Sequence, residues 1–483
     1  MKISAKPGIA KNERTTSVRW ALTSLSLSML LSSLGTSIVN VGLPMFADVF
    51  QASFQLIQWL VLAYLLAITT LIVGVGRLGD VIGRRRLMLI GIFIFTFASV
   101  LCGIATSLWL LIAGRAAQGL GAAIMMALTL AIVGETVLKE KTGNAMGLLG
   151  TMSAIGTALG PTLGGFLIAG FGWRSIFLIN LPLGILTFLL AYFHLPTDRK
   201  SLTTERTNFD IMGMLLLALA LAAYTLAMTV RQHEGNSHFG LLNMALLAIA
   251  VFGICIFIFA ETKAESPLIP LSMFRMPLQS AGFVMSAIVT AVVMATLVVG
   301  PFYLSGALAL EAASVGLVMS SGPIIAALTS VLSGRIVDRW GAHHISIVGL
   351  IAMATGSFIF STISVKLGIA AYIAALVVIT AGYALFQTAN NTAIMASVTP
   401  NQRGVVSGVL NLSRNLGLIT GASVMGAVFV FATHSNNITT ANPEAVVAGM
   451  QMTFGVATIL IIFALVIAVG SRKFAGSDLS QST

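Results

Sequence analysis

Fourteen separate stretches of the chain run for about 20 residues or more with almost no charged side chain, the length a helix needs to cross the hydrocarbon core of a bilayer. They lie near residues 21–45, 55–76, 87–105, 108–134, 144–170, 176–195, 211–230, 240–260, 280–304, 313–334, 344–364, 368–397, 404–432 and 446–470, numbered spans 1 to 14 in that order. Only 8% of the 483 residues are Asp, Glu, Lys or Arg, where a soluble globular protein carries about 25%. So few charges cannot clothe a surface that faces water, so most of this surface faces lipid. Glycine is frequent, at 47 residues, and small residues let membrane helices approach closely, which favours a packed helical bundle over a barrel. The expected fold class is an all-α integral membrane protein.

Fourteen crossings put both termini on one side of the membrane. Of the 26 Lys and Arg, 21 fall in the tails and loops of that side, three (Arg174, Arg231, Lys366) fall in the opposite loops, and two (Arg115, Arg414) fall inside spans 4 and 13. Positively charged loops stay inside, so both termini are cytoplasmic. The net charge of +11 is therefore mainly an orientation signal. It is spread along the chain in short gaps, which speaks against a nucleic-acid partner. The basic N-terminal stretch leads into an apolar run too long for a signal peptide and without a small-residue cleavage site, so that run reads as an uncleaved first span. Cys102 and Cys255 each sit within an apolar stretch, which builds neither a disulfide framework nor a zinc site. No metal and no cofactor is expected.

The loops carry an internal repeat. Gly76-Arg77-Leu78-Gly79-Asp80-Val81-Ile82-Gly83-Arg84-Arg85 after span 2 is echoed by Gly334-Arg335-Ile336-Val337-Asp338-Arg339-Trp340-Gly341 after span 10. Both follow Gly-Arg-x-x-Asp-x-x-Gly, eight spans apart. Two six-span halves would give an offset of six, so two extra spans stand between them, and spans 7 and 8 are the natural candidates. The organisation read from this is a cytoplasmic tail (1–20), a six-helix half (21–196), a linker with two inserted helices (197–266), a second six-helix half (267–470) and a cytoplasmic tail (471–483). Repeated halves with a substrate path between them are characteristic of secondary transporters.

The loop after span 2 is similar to the signature loop of the major facilitator superfamily at every defining position. Span 5 holds Gly156-x-x-x-Gly160-Pro161-x-x-Gly164-Gly165, which resembles the family's antiporter motif, found in exporters; its glycines allow close helix contact and Pro161 removes a backbone donor. Span 4 opens on Gly114-Arg115-Ala116-Ala117-Gln118-Gly119, which resembles the motif associated with proton coupling, and Asn411-Leu412-Ser413-Arg414-Asn415 in span 13 resembles a segment of the fourteen-helix drug:proton antiporter branch. Ile38-Val39-Asn40, Gln58-Trp59 with Tyr64, and the Gly172-Trp173-Arg174 stretch entering span 6 carry the resemblance along the chain. One departure stands out: where many drug-exporting members have an aspartate three residues before Ile-Val-Asn, this chain has Gly35. The resemblance implies a multidrug-type exporter of the bacterial cell membrane, exchanging substrate for protons and working as a monomer. Asp80, Arg84 and Glu135, with Gly76, Gly83 and the repeat's Asp338, would then form a latch on the outward-facing state, and Arg115 and Arg414 would serve coupling.

All fifteen carboxylates fall at span ends or in loops, whereas two arginines lie within the membrane. An intramembrane arginine costs about 3 kcal/mol on insertion scales and is a functional hypothesis by default. The central cavity is thus expected to be electropositive and suited to neutral or anionic amphiphiles. Its candidate lining is Asn40, Gln58, Trp59, Tyr64, Gln118, Tyr303, Gln387, Asn390, Asn391 and Asn411, each equally able to serve as interhelical glue. A membrane enzyme would need a convergent polar cluster, yet the six histidines lie in loops or at span ends. A passive channel would not need the span 5 motif, and without a Gly-x-x-x-x-Gly-Lys-Ser/Thr loop ATP is not the expected driver. A dedicated exporter of an endogenous metabolite such as a siderophore stands as the alternative.

Overall fold

A computed structural model of the chain describes residues 7–136, 142–197, 211–229, 240–263, 276–398, 403–433 and 441–480. Among them are 14 helices long and apolar enough to cross a membrane. The first, Val18–Phe50, extends past its expected end because Asn40–Gly42 forms a single 3-10 turn that hands on directly to the helix Leu43–Phe50. The polar part of the linker, residues 198–210, lies outside the described residues.

The packing repeats with the same offset as the loop motif. Span 1 packs on spans 5 and 6, span 2 on span 4, and span 3 on spans 4 and 6. Eight spans later, span 9 packs on spans 13 and 14, span 10 on span 12, and span 11 on spans 12 and 14. The fold is therefore two six-helix pseudo-repeats. Spans 7 and 8 stand outside that scheme: they pack on each other, and Asn243 Nδ2 donates to the Ala227 carbonyl at 2.7 Å. Span 8 is mostly exposed, whereas spans 1 and 9 are mostly buried, so span 8 lies outermost, in lipid. Span 7 lies against span 2 of the first half and the middle of span 13 of the second.

The motif segments expected as loops are mostly helix. Span 2 continues as one helix, Phe54–Ile82, through Gly76 and Asp80, and the next helix begins at Arg84. Only Gly83 separates them, at φ 103° and ψ 127°, a conformation a Cβ would strain. Its N–H still donates to the Gly79 carbonyl and its own carbonyl already accepts from Leu87, both at 2.9 Å. The repeat does the same: Ala312–Trp340 and Ala342–Ser361 are separated by Gly341 alone, at φ 83° and ψ 142°. The second glycine of each motif is thus required by backbone geometry.

The apolar interior is one core at one end of the molecule and several at the other. The outer ends of the halves share a continuous core containing Ile38, Phe46, Phe54 and Trp173 from the first and Phe302, Val315 and Phe429 from the second. Toward the cytoplasm, Leu25, Ile92, Val133 and Leu149 belong to a core made only from the first half. Val337, Ile345 and Ala389 form another made only from the second. A further core joins spans 7, 8, 9, 12 and 13, and Leu66 of span 2 packs against it; otherwise the halves are joined outside and separately packed inside, an inward-open arrangement.

Candidate functional site

The two intramembrane arginines have different surroundings. Arg115 sits seven residues into its helix, Leu108–Thr136, about 10 Å from the outer end at 1.5 Å per residue. It is completely buried. Its Nε donates to the Leu60 carbonyl of span 2 at 2.8 Å and its Nη1 to Gln118 Oε1 at 2.5 Å, while Gln118 Nε2 donates to Ser99 of span 3 at 2.7 Å. The guanidinium lies over the Tyr64 ring, 4.1 Å from its centre, and the Tyr64 hydroxyl donates to the Ser32 carbonyl of span 1 at 2.7 Å. Four helices of one half therefore converge on this one cation. Gly35 belongs to the same nest, because a Cβ there would stand 3.0 Å from the Tyr64 hydroxyl. The position where the family's aspartate would stand thus lies one side chain away from Arg115.

Arg414 is half-buried, eleven residues into its helix, Arg403–Thr420. Its Nη2 donates to Asn391 Oδ1 of span 12 at 2.6 Å. Tyr383 lies beside the guanidinium and against Gln387. The residues Tyr383, Gln387 and Asn391 recur at i, i+4 and i+8, one face of a helix, and all three are half-buried. Span 12 otherwise packs on spans 10 and 11, and span 13 on spans 2 and 9, so this polar face occupies the gap between two helices that barely touch.

The outer seal joins the halves by three kinds of contact. Phe54 of span 2 stacks edge-on against Phe302 of span 9, with centroids 4.8 Å apart, and lies 5.5 Å from Phe429 of span 13. One turn deeper, Gln58 Nε2 donates to the Ala422 carbonyl at 2.6 Å, inside a π-helical turn of span 13, Gly421–Met425, and lies against Gly426 where no side chain could fit. The third contact comes from the span 5 motif, whose two faces touch different halves. A Cβ on Gly156, Gly160 or Gly164 would collide with span 1 at Leu30, Ser37 or Ile38, all within the first half. On the other face, a Cβ on Gly165 would stand 2.6 Å from the Ala312 carbonyl of span 10, and one on Gly316 would overlap the Pro161 carbonyl.

The remaining candidates are distributed by packing. Trp59 Nε1 donates to Thr229 of span 7 at 3.2 Å, and Tyr224 of span 7 donates to Thr420 of span 13 at 3.2 Å. Asn390 donates to the Gly282 carbonyl and Ser286 of span 9 at 3.1 and 3.0 Å, within the second half. Tyr303 is buried and stacked on Tyr372, with centroids 5.9 Å apart. Asn40 donates back to the Thr36 carbonyl of its own helix at 3.3 Å. Gln58 belongs to the outer seal, and Tyr64 and Gln118 to the Arg115 nest. That leaves Gln387, Asn391 and Asn411, all half-buried, on the faces around Arg414. Tyr383 was missed by the sequence reading, although its spacing from Gln387 and Asn391 carried the signal. Of the latch residues, Asp338 is exposed and Arg84 is half-buried; the Asp80 and Glu135 side chains lie outside the described residues.

The sequence profile of the Major Facilitator Superfamily matches residues 25–422 and, in a second overlapping match, residues 301–475. The riboflavin transporter RibZ of Clostridioides difficile is 31% identical over 454 residues, 92% of this chain and 95% of that protein. The multidrug resistance protein Stp of Mycobacterium tuberculosis is 31% identical over 84% of this chain and 75% of its own length. The multidrug transporter protein MdtP of Bacillus subtilis is 28% identical over 84% of this chain and 74% of its own length. Among solved structures, a bacterial homolog of the human lysosomal transporter Spinster overlays with a TM-score of 0.70 at 16% identity, covering 98% of this chain and 99% of that one.

Proposed function

As a member of the major facilitator superfamily, to which the chain belongs, the protein is a multi-pass transporter of the cell membrane, and we propose that it exports small amphiphilic molecules in exchange for protons. The observation that carries this reading is the two-faced span 5 motif. One row of glycines fixes span 5 to span 1, and Pro161 and Gly165 close against span 10 on the outside. Opening that seal while the inner ends come together is alternating access, in which the halves rock around a central site. The relatives named as multidrug transporters support a broad amphiphilic substrate range. In the outward-facing state Asp80, Arg84 and Glu135 hold the inner face closed, with Asp338 at the equivalent place in the repeat. Asp80 and Glu135 are the first acids to test as proton carriers.

The test is uptake into everted membrane vesicles energised by a proton gradient. Accumulation of an amphiphilic dye that collapses on adding an uncoupler is expected, whereas uptake indifferent to the uncoupler would remove the antiport assignment. Asp80→Asn is expected to abolish accumulation while leaving membrane insertion intact. A second reading, a dedicated transporter of one endogenous metabolite, is favoured by the relative named as a riboflavin transporter. Susceptibility of deletion and overexpression strains across chemically diverse compounds separates the two: broad protection supports drug efflux, and none supports the dedicated role.

A further inference from the structure

Resting on the export reading, we infer that the face formed by Tyr383, Gln387, Asn391, Asn411 and Arg414 binds the negatively charged end of an aromatic amphiphile, and that Arg414 makes the substrate site selective for anions. Four observations lead there. Arg414 is an uncompensated cation: its hydrogen bond goes to a neutral amide, and no Asp or Glu pairs with it among the described residues. Its Nε and Nη1 donors have no protein partner among those residues. It is half-buried where Arg115 is fully buried. Its neighbours stand at helical spacing on two helices, Tyr383, Gln387 and Asn391 on span 12 and Asn411 and Arg414 on span 13, and each of the five is half-buried.

The ligand class follows from the donor set. A guanidinium presents a planar fork that matches a carboxylate or another delocalised anion with two parallel hydrogen bonds. The Tyr383 ring and the guanidinium plane both offer flat surfaces on which an aromatic ring can stack. The amides of Gln387, Asn391 and Asn411 can each donate and accept, which suits ring carbonyls and N–H groups. Away from bulk water, repulsion between Arg414 and a cationic ligand is weakly screened. Arg115 cannot serve in the same way, because its own half encloses it completely and leaves no approach to Nη2, its one nitrogen without a hydrogen-bond partner.

The experiment measures binding by the full-length purified protein in lipid nanodiscs, using fluorescence anisotropy of two xanthene dyes that share a ring system and differ in charge. These are fluorescein, which carries a carboxylate, and rhodamine 123, a cation. Fluorescein is expected to bind at least about tenfold more tightly than rhodamine 123. Arg414→Gln is expected to weaken fluorescein binding by about tenfold or more, and Arg414→Lys to restore part of it, with rhodamine 123 unchanged or tighter in both. Equal affinity for the two dyes, no binding of fluorescein, or an Arg414→Gln affinity within twofold of the parent would each overturn the proposal. If Arg414→Gln fails to fold, Asn391→Asp, which sets a carboxylate against the guanidinium, carries the test, and an unchanged preference for fluorescein in that variant overturns it equally. Binding needs no proton gradient. Charge-selective binding without gradient-driven uptake would therefore sink the export reading and leave this site standing, and the converse result would do the reverse.

Discussion

Arg115 and Arg414 carry the same charge inside the same bundle, and they differ in how completely the protein closes around them. Around Arg115, spans 1, 2, 3 and 4 of a single half close completely. Around Arg414, one amide is engaged, and the side chain is half-buried between two helices that barely touch. The span 5 motif shows the same division on one helix, with Gly156, Gly160 and Gly164 turned to their own half and Gly165 turned to the other. Contacts that close within a half hold the rigid body together, and contacts that reach across decide which state it occupies. The first kind registers as stability, the second as conformation or binding.

The sharpest way to break that distinction is Arg115→Ala. It leaves the Leu60 carbonyl, Gln118 and Tyr64 around an emptied site, and should lower stability by about 3 kcal/mol or more. That is a fall in melting temperature of about 3 °C or more, whereas Arg414→Gln should melt close to the parent; equal falls would erase the contrast. Next in size is Gly316→Ala, which drives a methyl into the Pro161 carbonyl and should open the outer seam. A cysteine at Ser320, one turn deeper, is expected to react with a membrane-impermeant thiol reagent added outside about tenfold faster in this variant, in a Cys102- and Cys255-free background. Gly156→Ala meets the Leu30 carbonyl at 2.6 Å within the first half and should destabilise without changing that labelling. If it labels like Gly316→Ala, the two faces of span 5 are not separate. The smallest effect belongs to Trp59→Phe, which removes one hydrogen bond to span 7, worth about 1 kcal/mol, and should leave dye uptake within about twofold.

The span count, the orientation and the eight-span offset were legible because each rests on a signal repeated many times: hydrophobic length, loop charge and a duplicated motif. The helical state of residues 76–82 was hidden because Gly76, Arg77, Gly79 and Asp80 look like loop residues, while Leu78, packed against the first half's inner core, and a buried Gly79 hold that turn in the bundle. Single polar residues were the least legible. Gln58, Trp59 and Asn390 have the same character in an apolar run, and only the neighbours sort them into an outer seal, an inserted helix and an intra-half contact. Tyr383 escaped because its aromatic ring counts as apolar, although a polar residue follows it four and eight positions later. The position of Gly35 against Tyr64 shows how a departure in sequence gains meaning once its neighbours are known: the missing acid leaves the Arg115 nest without a counter-charge at that point.

The joints at Gly83 and Gly341 have a mechanical consequence. In each, the hydrogen-bond ladder of one helix runs up to the glycine and that of the next starts from it, so no slack chain exists to absorb a change of tilt. Spans 2 and 3, and spans 10 and 11, behave as the two arms of an elbow. Movement at the outer tip of span 2, where Gln58 meets the opposite half, is carried along an uninterrupted helix to the cytoplasmic bend and turns span 3 with it, whereas in span 10 Pro323 breaks the backbone ladder between Gly316 and the bend.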